Sequence, residues 1–164
     1  MWLTRRHLLP LVAAGFAGLP VRAARLDTLP LGPIALNGFD AVSYFLGDSE
    51  VARPEPGLAA HEAVWRGKTW RFARMANEEA FRRAPSIYAP RLGGFDPLGI
   101  LDGHLVDTDP LVFARVPDAE GVERLYLLRN AEHRARFIAD PALAAQAEAR
   151  WPDLRDQIDR DFLE

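Results

Sequence analysis

Beyond His7, the chain has three histidines, at positions 61, 104 and 133, and no cysteine, so any metal or acid–base chemistry rests on few side chains. His61, His104 and Asp96 together offer two imidazoles and a carboxylate. Such a set holds zinc or copper(II) with one position open to water or substrate. It would serve as a metal-binding site or, in the alternative, as the centre of a metal-dependent, hydrolase-like enzyme; the remaining alternative is a purely structural protein-interaction domain. No H-x-x-x-H spacing gathers these ligands locally, so the site depends on tertiary folding. The competing reading makes both histidines exposed polar residues and Asp96 a turn or cap residue. His133 stands beside Glu132 and near Arg134 and Arg136, cations that repel a metal ion, and it reads as a solvated helix residue. His61 and Glu62 are adjacent in a strand, face opposite ways, and do not form an acid/base pair.

Other templates are weaker. The acids of Asp102-Gly103-His104-Leu105-Val106-Asp107-Thr108-Asp109 suggest a calcium loop, but the spacing and terminal glutamate of an EF-hand are missing, and a turn before a strand explains the run. There is no G-x-S-x-G, P-loop or H-E-x-x-H, and no thiol nucleophile. Aromatics are prominent from Tyr44 to Phe95. They could line a small-molecule pocket, but their spacing already suits a compact core.

The elements that must position these residues follow from periodicity and turn chemistry. Residues 34–36 suggest a short strand, Asn37-Gly38 a turn, and Asp40 the cap of a short helix over 41–45. Alternation of His61, Ala63 and Trp65, a turn at Arg66-Gly67-Lys68, then Trp70 and Phe72 predict a β-hairpin. Asn77 is expected to cap a helix over 78–83, stopped by Pro85. Asp96-Pro97 fits an N-cap with proline at the first helical position, and Phe95, Leu98, Ile100 and Leu101 should anchor that segment in the core. Residues 111–116 and 123–128 predict a second hairpin, and Asn130 caps the helix that follows. Trp151, Leu154, Ile158 and Phe162 recur at helical spacing, which predicts a C-terminal amphipathic helix. No internal repeat is expected from the sequence. The expected fold is a small single α+β domain, two β-hairpins with helices packed around them.

The first residues differ in kind. Residues 1–23 combine a basic start, a short apolar run and Val21-Arg22-Ala23, the pattern of a cleaved signal peptide; Thr4-Arg5-Arg6-His7-Leu8-Leu9 is similar to a twin-arginine export signal. The apolar run is too short for a permanent membrane span. Residues 24–33 read as an extended lead-in and 34–164 as the domain. Export to the periplasm or outside would place the protein in an oxidising compartment without a disulfide to exploit. Removing residues 1–23 takes Arg5, Arg6 and Arg22 and no acid, so a net charge of −3 becomes −6. That balance excludes a nucleic-acid-binding role, which needs a basic face.

The ordered segments Asn37-Gly38-Phe39-Asp40-Ala41-Val42-Ser43-Tyr44-Phe45, Trp65-Arg66-Gly67-Lys68-Thr69-Trp70-Arg71-Phe72-Ala73 and Tyr88-Ala89-Pro90-Arg91-Leu92-Gly93-Gly94-Phe95 continue through Asp107-Thr108-Asp109-Pro110, Leu125-Tyr126-Leu127 and Ala149-Arg150-Trp151-Pro152. As a set, over most of residues 34–154, they resemble the exported YHS domain proteins of bacteria. The resemblance implies a small α+β domain and, in the wider family, a role in binding metals alongside heavy-metal or copper handling. Members of the exported branch commonly read Gly-Gly-aromatic-Cys where this chain reads Gly93-Gly94-Phe95-Asp96. A carboxylate is a harder ligand than a thiolate, so copper(I) loses its reason to bind and thiol redox chemistry is excluded. The expected function is that of a non-enzymatic periplasmic accessory domain that binds a metal ion or small ligand or acts through a periplasmic protein partner.

Overall fold

The computed structural model describes residues 33–48 and 53–161, with side chains through residue 156. The expected signal peptide, the lead-in up to residue 32 and Phe162 lie outside the described residues. The first hairpin pairs β1 (Leu58–Trp65) with β2 (Lys68–Phe72). Its connection is Arg66-Gly67 with φ of 48° and 70°, and two positive φ values are what a tight hairpin turn demands. Two helices follow, α1 (Met75–Arg83) and α2 (Pro85–Tyr88), the latter started by its proline. Next come α3 (Pro97–Leu101), β3 (Asp109–Pro117), β4 (Glu123–Leu128), α4 (Ala131–Ala139) and α5 (Ala142–Asp161). The hairpins form separate two-stranded antiparallel sheets, β1-β2 and β3-β4, with helices around them, an α+β architecture.

Two local expectations are corrected. Residues 34–36 are not a strand. Ile34 makes a single bridge to Thr69, and Ala35–Gly38 is then a 3-10 turn in which Leu36, Asn37 and Gly38 have φ of 53°, 50° and 89°, values no strand can hold. Asn77 is not an N-cap. α1 starts at Met75, and the Asn77 amide donates to the buried Asp40 carboxylate instead, 2.6 Å from Oδ2.

The structure also overturns the absence of a repeat. Leu36-Asn37-Gly38-Phe39-Asp40 and Leu92-Gly93-Gly94-Phe95-Asp96 stand 56 positions apart (96 − 40), and each turns through left-handed backbone at its first three residues. Helices α1 and α4 lie at the same offset (131 − 75) and have the same length of 9 residues. Each hairpin carries the same irregularity. In the first, Leu58 pairs with Phe72 and Glu62 with Arg71; in the second, Asp109 pairs with Leu128 and Phe113 with Leu127. A shorter link before β3 and a longer hairpin loop after it cancel, which restores the register.

The cores repeat as well. Trp70, Phe72 and Phe81 fill the first half; Tyr126, Leu128 and Phe137 hold the matching places in the second. Ring centroids of Trp70 and Phe81 are 4.8 Å apart, those of Tyr126 and Phe137 5.1 Å. Between the halves lies a third cluster of Tyr44, Phe113, Leu125 and Leu127. α2 matches the first turn of α5 at the same offset (141 − 85, proline in both), and the rest of α5 has no counterpart in the first half. α5 buries Ala144, Ala147 and Leu154 against the second.

Candidate functional site

Asp96 is fully buried, and its carboxylate is already occupied. Oδ1 accepts from the backbone N–H groups of Leu98 and Gly99 at 2.8 and 3.1 Å, and Oδ2 from that of Arg129 at 2.6 Å. His133 Nδ1 lies 3.0 Å from both oxygens. An oxygen pair that accepts so many N–H bonds is the acceptor for the imidazole too, which places the proton on Nδ1. His133 is thus no solvated helix residue. Three backbone donors and an imidazole are what a carboxylate without solvent requires.

The first half has the same device. Asp40 is fully buried; its Oδ1 accepts from Val42 N–H at 2.8 Å, and its Oδ2 from Ala73 N–H at 2.9 Å and from Asn77 Nδ2. Ala73 and Arg129, like Asn77 and His133, are 56 positions apart (129 − 73, 133 − 77). Each aspartate therefore ties a left-handed turn to the start of the helix after its hairpin. Because an amide does in one half what the imidazole does in the other, His133 and Asp96 read as a fastening of the fold.

The three metal candidates fall in different surroundings. His61, on β1, lies 3.8 Å from Glu78 of α1, and Glu62 pairs with Arg71. Asp96 caps the start of α3, while His104 is exposed beyond its end and donates its backbone N–H to Gly99. Among the described residues no three His, Asp or Glu side chains gather as a set that could hold a metal ion. The run from Asp102 to Asp109 is a turn before β3, as expected, with Asp109 Oδ1 accepting from Leu111 N–H.

The structure has a different concavity, a groove of about 800 Å³ between the halves. The equivalent turns of both halves line it, Leu36 and Asn37 from one and Leu92, Gly93 and Gly94 from the other. Trp65 and Trp70 form part of one wall, Phe95 and Trp151 part of the other. Glycine at 93 is required twice over: its φ is +65°, and an added Cβ would meet the Trp151 ring at 3.2 Å.

α5 also sends Glu148 into the groove, where it pairs with Arg91; Nε donates to Oε1 at 2.5 Å and the second bond runs from Nη2 to Oε2. Tyr126 donates its hydroxyl to Oε1 at 2.8 Å. Burial by itself would raise the Glu148 carboxyl, but the bonds from Arg91 and Tyr126 outweigh it and hold the group below its ordinary value. The bond to Glu148 raises Arg91, and burial, then the same glutamate, raises Tyr126. Arg91 and Glu148 are thus a fixed ion pair in the wall, held by the neutral Tyr126 hydroxyl. Arg66 and Lys68, on the hairpin turn, line the same groove.

Of these groove residues the sequence exposes only the aromatics, which suit a core equally well. Arg66 and Lys68 look like turn residues, and the approach of Glu148 to Arg91 spans 57 positions. No local spacing signals such a pair. No helix among the described residues is long and apolar enough to cross a membrane. Comparison of the chain with protein-family models, with curated proteins and with solved structures finds no match in any of the three.

Proposed function

We propose that this protein is a non-enzymatic, exported accessory domain of the YHS-like kind, delivered to the periplasm by a twin-arginine signal, and that it binds a small organic molecule in the groove between its halves. The observation that carries the reading is the groove itself: about 800 Å³, with Trp65, Trp70, Phe95 and Trp151 on its walls and the Arg91–Glu148–Tyr126 trio fixed at its side. Aromatic surface beside oriented polar and charged groups is what a small-molecule site uses to bind and orient its ligand. The metal reading loses support because the buried Asp96 has no oxygen to spare and the two histidines stand apart from it.

The test is a thermal melt of the mature protein in the small-molecule fraction of a periplasmic extract, with and without a chelator. The proposal expects a higher melting temperature that chelation leaves unchanged and that Trp151→Ala abolishes. A shift that disappears with the chelator would restore the metal reading, and no shift would sink the small-molecule one.

A further inference from the structure

The groove's charges point to the class of molecule it takes, an inference that rests on the groove being the binding site. Five charged residues line it: Arg66, Lys68, Arg91, Asp107 and Glu148. Arg91 and Glu148 neutralise one another through two hydrogen bonds, so neither offers net charge to a ligand. Arg66 and Lys68 differ. Neither makes an ion pair among the described residues, and the Arg66 guanidinium lies 4.5 Å from the Trp65 ring centroid, stacked on the wall of the groove. Two cations against one unpaired carboxylate leave the groove positive within a chain whose net charge is negative.

The cations are also placed by backbone, not by chance of a long side chain. They flank Gly67 in a two-residue turn with two positive φ values, and that turn follows directly on Trp65 and leads into Trp70. Charge and aromatic surface therefore come from one short element. We propose that the groove binds an organic anion with a planar apolar body: the body lies against the partly exposed Trp65 and Trp151, and a carboxylate or similar acid group meets Arg66 and Lys68. A charge that remains partly in water contributes modestly, so two such contacts give a preference of about fivefold to tenfold over a neutral isostere.

Three probes of one shape separate the possibilities: 1-naphthoate, neutral 1-naphthamide and 1-naphthylmethylammonium, titrated into the mature protein and followed by amide and indole N–H chemical shifts. The inference expects naphthoate to bind tightest, with shifts at Gly93, Gly94 and the Trp65 and Trp151 indoles. Lys68→Gln and Arg66→Gln should bring its affinity down toward that of the amide and change amide binding by less than about twofold. Equal binding of all three probes, or tighter binding of the ammonium ion, overturns the anion assignment and leaves the groove as the site. Absence of shifts at the groove with every probe overturns both.

Discussion

Replacing Asp96 with alanine removes at once the acceptor of the Leu98, Gly99 and Arg129 N–H groups and of His133 Nδ1. Each stranded buried donor costs about 1 kcal/mol or more, so Asp96→Ala should lower unfolding stability in urea by at least about 3 kcal/mol. His133 is partly exposed and supplies one of the four donors, and His133→Ala should cost about 1–2 kcal/mol. His133→Asn recreates the amide that Asn77 offers Asp40, and its urea midpoint should return most of the way to the parent's. A His133→Asn protein as unstable as His133→Ala would refute the equivalence of the two fastenings. Glu148 supplies a pH signature. Its carboxyl is held low in the fold, so on acidification the unfolded chain takes up the proton first; the stability it contributes is full above the ordinary carboxylate value and is lost as pH falls through the folded one. Asp118 is also lowered, first by the Val122 N–H and then by Arg124, and it adds to the same acid limb. Glu148→Gln keeps Asp118 intact, so urea midpoints measured over a pH series should fall less steeply toward acid in the variant than in the parent.

Elements meet in this protein at positions with no spare room, and the two halves solve the same contact differently. Gly99 of α3 faces Val106, where an added Cβ would lie 2.5 Å from Cγ2. At the matching position of the first half, Ser43 accepts the Glu55 N–H through its hydroxyl at 2.9 Å. Gly99→Ala should therefore cost about 2 kcal/mol by overpacking. Val106→Ala in the same chain should return about 1 kcal/mol of it, a coupling that a double-mutant cycle in urea reads directly. These elements differ in how far the sequence reveals them. Both hairpins, the Asp96-Pro97 start of α3 and the Asn130 cap were legible because alternation and capping are local. Asn77 was misplaced because its partner, Asp40, lies 37 positions away. The repeat was present as Leu-x-Gly-Phe-Asp at 36–40 and 92–96, yet it was hidden by links of unequal length and by core positions that keep only their size and apolar character, Trp70 for Tyr126 and Phe72 for Leu128. The groove was illegible for a related reason: it forms where two copies and α5 meet.

At the scale of the whole molecule, the question is what couples two halves with separate sheets and separate cores. Tyr44 belongs to the first half by sequence but packs in the cluster between them, its ring edge-on to Phe113 at 5.0 Å between centroids. Its hydroxyl donates to the Pro110 carbonyl at 3.0 Å, and burial, followed by the nearby Asp109 and Asp40 carboxylates, raises its pKa so that it stays a donor. The Arg91 N–H, just before the second left-handed turn, donates to the Leu125 carbonyl at 2.8 Å, but that bond lies largely within the second half. Arg115 and Arg124 also donate across the divide, to the Gly47 carbonyl at 2.9 Å and the Ser86 carbonyl at 3.4 Å, but both bonds are exposed, and among these three the Tyr44 bond is the buried one. Tyr44→Phe removes one hydrogen bond and should cost about 1 kcal/mol; Tyr44→Ala empties a buried aromatic site and should cost about 3–5 kcal/mol. The two variants differ in more than magnitude. In a background with Trp2→Phe and Trp151→Phe, the fluorescence of Trp65 and Trp70 reports the first half, while ellipticity is dominated by α4 and α5 of the second. Coincident urea transitions by the two probes are the mark of a single cooperative unit. The parent and Tyr44→Phe should show them, and Tyr44→Ala should separate them, with the first half, which lacks the support of α5, melting at lower urea. Coincident curves in Tyr44→Ala would mean that the backbone connections and the remaining Phe113, Leu125 and Leu127 contacts couple the halves without it.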